Sequence, residues 1–183
     1  MTTIYLIRHS VRMPLSKIEA YNTSQSDLIR NEKIVLSVEG ERRAQLLCRK
    51  EEFQNIDFVY ASNWVRTLQT AKYLLEQQNL NVVIDDRLDE RRVGISNDNS
   101  INDWFVLQYK DENYSTIGGE SQKDVRNRVS EVIDEILNKH KDKRIAVFSH
   151  GYAITFYLLK FCKLIDVTND KRLTYSFNGN KII

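Results

Sequence analysis

Proline is almost missing from this sequence: the 183 residues hold one. Low-complexity tracts and internal repeats are missing too, which leaves no linker at which to divide the chain. A chain of this length supports one domain with a real core and is short for two, so residues 1–183 are expected to form a single domain. Cysteine is scarce. Cys48 and Cys162 lie far apart with no CxxC spacing, which argues against a disulfide framework and for two buried thiols in a reducing compartment. Long apolar runs are missing. The first covers only Ile4–Ile7, too short for a secretion signal. The most apolar window, "YAITFYLLKFC" at 152–162, falls short of the roughly 20 residues that span a bilayer. An excess of one charge is missing as well. A net charge of +2 and a pI near 8.4 create no broad field for nucleic acid or an anionic membrane, so any basic site must be local. The expectation is a cytoplasmic protein without nucleic-acid or membrane partners; nothing in the sequence fixes an oligomeric state.

What is present is an alternation of strand and helix patterns. "TIYLIR" (3–8) is a short run of β-formers and reads as a buried strand. "VLSVEGERRAQLLCRK" reads as a helix that Ser37 can cap, with Ala44, Leu47 and Cys48 on one face. "DFVYA" (57–61) and "NVVID" (81–85) read as strands. Between them "NWVRTLQTAKYLLEQQ" (63–78) carries Trp64, Leu68, Ala71 and Leu75 at helical spacing. "SQKDVRNRVSEVIDEILNKH" opens on a Ser121/Asp124 capping pair and continues as a stripe of Val125, Val129, Val132, Ile133, Ile136 and Leu137. "RIAVFS" (144–149) is an apolar strand and 152–162 a buried helix. "LTYSFNGNKII" reads as a hairpin with Asn178-Gly179 in a type I′ turn. This order predicts an α/β fold: a three-layer sandwich, with a mostly parallel central sheet and helices on both faces.

In such folds ligands bind at the carboxyl ends of the strands. Arg8 and His9 follow the first strand, and Ser62, Asn63 and then Arg66 follow the second. Glu90 follows the third, and His150-Gly151 the last of the parallel set. Two of the chain's three histidines therefore fall on one sheet edge. The third, His140, sits among lysines in "NKHKDKR" and reads as solvated. Guanidinium groups fit phosphate oxygens in bidentate fashion. A neutral imidazole can attack phosphorus, and a second imidazole can stabilise the charge that develops. A carboxylic acid can protonate the leaving oxygen and then activate water. The rival for a histidine pair is a metal, but zinc sites need three or four close ligands, and no such spacing surrounds His9 or His150. No cofactor is implied.

These residues lie in blocks that resemble the histidine phosphatase superfamily, also called the phosphoglycerate mutase-like family. "LIRHS" resembles its "LIRHG", "ASNWVRTLQTA" (61–71) its "SSxxxRTxQTA", and "LDERRVG" (88–94) its "LxExxxG". "GGES" is intact at Gly118–Ser121, and "IAVFSHG" (145–151) resembles its apolar strand ending in "HG". "LSVEGERRAQLL" (36–47) resembles its "LTxxGxxQA" helix start. The resemblance implies the compact branch and a phosphoglycerate mutase-like fold. His9 would be the phosphorylated nucleophile, Arg8, Arg66 and His150 the rest of the phosphate pocket, and Glu90 the acid/base. "RHSVRMP" also resembles the "RHxxRxP" of the acid phosphatase branch, which makes Arg12 a candidate phosphate ligand; Ser62 and Gly151 are further candidate substrate contacts.

Three departures stand out. Ser10 replaces the usual glycine, harmless unless the position needs positive φ. "GISND" replaces the "GxWEG" often found after the acid, so the wall near Glu90 should differ. His150 is followed by Gly151 where the acid branch has aspartate, so the donor should be Glu90. The expected activity is a metal-independent phosphomonoesterase acting on a small phosphorylated metabolite. The alternatives are a phosphoglycerate mutase-type phosphotransferase and an inactive phosphate-binding regulatory domain. Ser62 and Asn63 also suit helix capping, and the amides at Glu120-Ser121 could face an anion.

Overall fold

The computed structural model describes residues 1–14, 25–94, 101–167, 173–177 and 180–182. The chain forms two compact units, Met1–Glu90 with Glu131–Gly151, and Arg91–Ser130 with Tyr152–Ile183.

The first unit is built on a parallel sheet of β1 (Thr3–Arg8), β2 (Phe58–Ala61), β3 (Val82–Ile84) and β4 (Arg144–Ser149), in the order β1-β4-β2-β3. The α/β class and its parallel sheet are as the alternating pattern predicts. β4 lies between β1 and β2, and Ile145, Ala146, Val147 and Phe148 are all at most 1 % exposed, which is why its sequence is apolar without alternation. β1 is less buried than expected. It is an edge among the described strands, and only Ile7 falls in the core. β3 is the other edge, with Val83 and Ile84 exposed.

Helices α1 (Gln25–Glu32), α2 (Val38–Cys48) and α3 (Val65–Gln78) complete the described helices that lie wholly in this unit. Ala71 and Leu74 of α3 and Cys48 of α2 join Ile7, Val59, Ala61, Ala146 and Phe148 in one apolar core. Ser37 caps α2 as expected: its hydroxyl accepts from Gly40 N at 3.0 Å, and it also donates to the Val11 carbonyl at 3.1 Å. The residue flanking α3 is Trp64, not Ser62 or Asn63, and its side chain makes no capping bond. His140 is buried, against the solvated reading. Its ring lies 3.9 Å from the Phe58 ring and bonds the Tyr60 hydroxyl at 2.8 Å. Its lysine neighbours in sequence gave no sign of these partners, which come from β2.

α5 (Gln122–Lys139) begins in the second unit and ends in the first. Its capping pair forms: Ser121 N donates to Asp124 Oδ2 at 2.9 Å, and Asp124 N donates to Ser121 Oγ at 3.1 Å. The second unit also holds α4 (Ile101–Lys110), most of α6 (Gly151–Leu158), and an antiparallel sheet of β5 (Lys163–Val167), β6 (Leu173–Phe177) and β7 (Asn180–Ile182). The predicted helix 152–162 stops at Leu158. Phe161 is exposed, Cys162 only half-buried, and the next residues form β5, so the hairpin is part of a three-stranded sheet. A short apolar run reads equally as helix or strand, and this one contained the end of one and led into the other. The Asn178-Gly179 turn lies outside the described residues.

Ser37→Ala should lower unfolding free energy by about 1 kcal/mol, since the cap of α2 is lost. Urea denaturation monitored by circular dichroism measures it; an unchanged midpoint would mean that the cap contributes nothing.

Candidate active site

Strand register brings the sequence-predicted residues together. Arg8 is paired with Ser149, so the next residues, His9 and His150, leave adjacent strands side by side. Their ring centroids are 5.2 Å apart. His9 N donates to Ser149 O at 3.0 Å, which carries the ladder one residue beyond β1. Ser62 follows β2 one residue lower, level with Ser149, its N bonded to Phe148 O at 3.1 Å. A methyl built on Gly151 would stand 3.5 Å from Arg8 Nε and 3.7 Å from Glu90 Oε2, which places Gly151 between that guanidinium and that carboxylate. Two residues before Glu90, the Leu88 carbonyl accepts from Ser149 Oγ at 2.6 Å.

His9 has a defined tautomer. Its Nδ1 is 2.8 Å from the carbonyl oxygen of Ser10, which can only accept, so Nδ1 carries the proton and Nε2 is the bare nitrogen. Burial, more than any neighbouring charge, lowers the pKa of His9 to about 4. The Ser10 carbonyl opposes this, and Arg66, Arg8 and Arg12 add to it. The cationic surroundings thus act in the expected direction but are second to desolvation. Arg12 pairs with Leu36 in an isolated antiparallel bridge, is exposed, and acts on both His9 and Arg66. Ser10 does not have the positive φ that would require glycine.

Arg66 is 3 % exposed. One nitrogen donates to Asn31 O at 2.8 Å, and the guanidinium lies 4.2 Å from the centre of the Trp64 ring. Its Nε is buried with no hydrogen-bond partner. Burial brings its pKa down to about 10, against the attraction of Glu90.

Ser62, expected among substrate contacts, is fully buried. Its hydroxyl lies 2.7 Å from His150 Nε2 and 2.9 Å from Thr67 Oγ1. It supports a site residue rather than facing solvent. Sequence reasoning missed the residues that brace the site. Thr70 Oγ1 accepts from Ser10 N at 3.0 Å, Gln69 Oε1 accepts from Leu36 N at 2.7 Å, and the Trp64 ring lies edge-on to His150 at 4.7 Å. The "RTxQTA" block contains two of these, Gln69 and Thr70, and the family resemblance points only to its arginine. Gly40 was also missed as a support: a methyl there would overlap the Val11 carbonyl, so the loop carrying Arg12 rests directly on α2.

In the second unit, the two amides of the "GGES" block expected to face an anion, those of Glu120 and Ser121, are already bonded. Glu120 N donates to Arg92 O at 2.8 Å, and Ser121 N is taken by the cap. The Glu120 carboxylate receives Arg92 N and Arg128, so the block clamps the chain just after Glu90. Of "GISND", residues 95–98 lie outside the described residues. Among the described residues no group of three His, Cys, Asp or Glu side chains is placed to hold a metal, and no helix is long and apolar enough to cross a membrane.

A parallel α/β sheet with two imidazoles, guanidinium groups and a carboxylate at its carboxyl edge defines a protein of the phosphoryl-handling class. More particularly, the chain belongs to the histidine phosphatase superfamily, branch 1, whose profile matches residues 4–175. It is 28 % identical over 147 residues to phosphoserine phosphatase 1 of Hydrogenobacter thermophilus, covering 74 % of this chain and 67 % of that one. It is 27 % identical over 165 residues to a probable phosphoglycerate mutase, GpmB, of Yersinia enterocolitica, covering 84 % and 72 %. The fold matches that of a mycobacterial glucosyl-3-phosphoglycerate phosphatase with a TM-score of 0.68 at 21 % identity, over 85 % and 78 % of the two chains. The chain is a phosphatase of the histidine phosphatase type.

Because burial sets the His9 pKa, its imidazole should stay neutral from pH 5 to 8. Proton NMR of the ring across that range should show no titration of His9; a midpoint near 6.5 would contradict the buried, Ser10-bonded arrangement. Gly40→Ala should destabilise the fold by about 1–3 kcal/mol through overpacking against Val11, measured by thermal unfolding.

Proposed function

We propose that this chain is a cytoplasmic phosphomonoesterase that forms a phosphohistidine at His9, with residues 1–183 acting as a single domain. The observation that carries the reading is the His9 Nδ1–Ser10 carbonyl contact of 2.8 Å, which leaves a bare, neutral Nε2 among arginines. Nε2 attacks phosphorus, the bond from phosphorus to the ester oxygen breaks, and protonated Glu90 gives its proton to that oxygen. Glu90, now a carboxylate, takes a proton from water as the water oxygen attacks the phosphohistidine. Phosphate leaves and His9 is again neutral. Arg8, Arg66 and His150 bind the equatorial oxygens, and Arg12 contributes a further guanidinium. No step needs a metal.

The substrate is a small phosphorylated metabolite. Phosphoserine and phosphoglycerate, named in the similar proteins, both join a phosphate to a carboxylate on a short carbon chain. A cluster of arginines suits such a polyanion, and this is the substrate class we favour. The similarity to a probable mutase supports a second reading, in which the phosphoryl group passes to a second substrate rather than to water.

His9→Ala should reduce hydrolysis of phosphoserine, 3-phosphoglycerate and an aryl phosphate to background, with chelator present throughout. Substantial residual turnover would exclude the phosphohistidine. Glu90→Gln should slow alkyl phosphates about 10²–10⁴-fold while sparing the aryl ester, whose leaving group needs no proton. Equal losses would remove Glu90 as the acid. Transfer from a bisphosphorylated glycerate to a monophosphoglycerate with little phosphate release would favour the mutase.

A further inference from the structure

His150 is held by a chain of hydroxyl groups whose proton positions can be worked out. Thr67 Oγ1 lies 2.5 Å from Trp64 O and 3.1 Å from Ser62 O, two carbonyls that can only accept. Its single proton therefore goes to a carbonyl, Trp64 O being nearer, and Thr67 can only accept from Ser62 at 2.9 Å. The Ser62 hydroxyl thus donates to Thr67. Its lone pairs are left for Trp64 N, which donates at 3.3 Å, and for His150 Nε2 at 2.7 Å. A nitrogen that meets a lone pair at this distance must carry a proton. The opposite assignment, Ser62 donating to His150, would press two lone pairs together between Ser62 and Thr67. Ser62 and Thr67 are both fully buried, so no solvent relieves that contact.

We propose that Ser62 and Thr67 are positioning residues that lock His150 in its Nε2–H tautomer. The consequence is chemical. Any hydrogen bond from His150 to a phosphoryl oxygen then leaves from Nδ1, and Nδ1 has a proton to give only when the ring is an imidazolium. The two histidines are locked in opposite senses: His9 bares Nε2 to attack, and His150 buries Nε2–H to donate from the other side of the ring. The rate effect rests on the phosphatase reading above; the tautomer does not.

The test is ¹⁵N NMR of the full chain labelled at its three histidines, with His150 assigned by its loss in His150→Gln. At alkaline pH, where the ring is neutral, wild-type Nε2 should be of the protonated, pyrrole type and Nδ1 bare. A bare Nε2 overturns the proposal, whatever the enzyme does. Saturation with inorganic phosphate near neutral pH should protonate both nitrogens; a ring that stays neutral overturns the assignment of Nδ1 as donor. Thr67→Val removes the acceptor for the Ser62 proton and should mix the tautomers, with kcat down about 10- to 100-fold and KM little changed. Thr67→Ser should restore both. A Thr67→Val protein that melts earlier yet keeps the wild-type tautomer and kcat would show a purely structural role. If that variant does not fold, the wild-type spectrum still decides.

Discussion

The site depends on the register of β1 against β4. Arg8 faces Ser149 and β2 joins the other side of β4 with Ala61 facing Phe148, so His9 and His150 emerge side by side and Ser62 stands one residue below them on the third strand. A slip of one residue would turn every side chain of β1 to the other face and send Ile7 out of the core. The register is favoured because it buries Ile7 of β1 in the core and leaves Arg8 exposed at the strand end. Two imidazoles with ring centroids 5.2 Å apart follow from that pairing.

The opening of α3 supplies most of what steadies those imidazoles. Arg66 turns toward the cationic pocket, Thr67 receives the Ser62 hydroxyl beneath His150, Gln69 holds Leu36 N, and Thr70 holds Ser10 N beside His9. Thr70 also donates to the Arg66 carbonyl at 2.7 Å, so its hydroxyl is used in both directions. Short hydroxyl side chains are poor helix formers because they compete for backbone groups. Here that competition is put to use, as two buried threonines in one helix reach the residues that follow β1 and β2.

Much of this was legible in the sequence. Apolar runs marked β1, β2 and β4, and the residue after each run was the one to weigh, because parallel strands collect their successors at one edge. Ser37, Ser121 and Asp124 announced their caps because those contacts lie within three residues. What stayed hidden depended on partners distant in sequence. Nothing in "NKHKDKR" foretells that His140 lies under Phe58 and Tyr60, and nothing in Ser62 itself separates a helix cap from a support for a histidine 88 positions later. The end of α6 was hidden for another reason. No glycine or proline marks Leu158, and the apolar composition continues past it, so periodicity had no edge to detect.

The electrostatics explain why so much of the bracing is polar. Arg66 is buried with an unpartnered Nε, feels repulsion from Arg8 and Arg12, and has Glu90 as its strongest opposite charge. Burying a guanidinium with one donor left unpaired costs free energy. The side chains cannot relax away from it, because Asn31 O and the Trp64 ring fix the guanidinium while Thr70 and Ser149 fix the neighbouring loops. On the proposed function a phosphate dianion supplies the missing charge, with an oxygen for Arg66 Nε. Binding energy is then largest for a compact, highly charged tetrahedral ligand. In the proposed transfer to His9 it is larger still as charge spreads over the equatorial oxygens. The nearby guanidinium groups also lower the His9 pKa, second to its burial, so the charges proposed to attract phosphate act with desolvation in keeping this imidazole neutral.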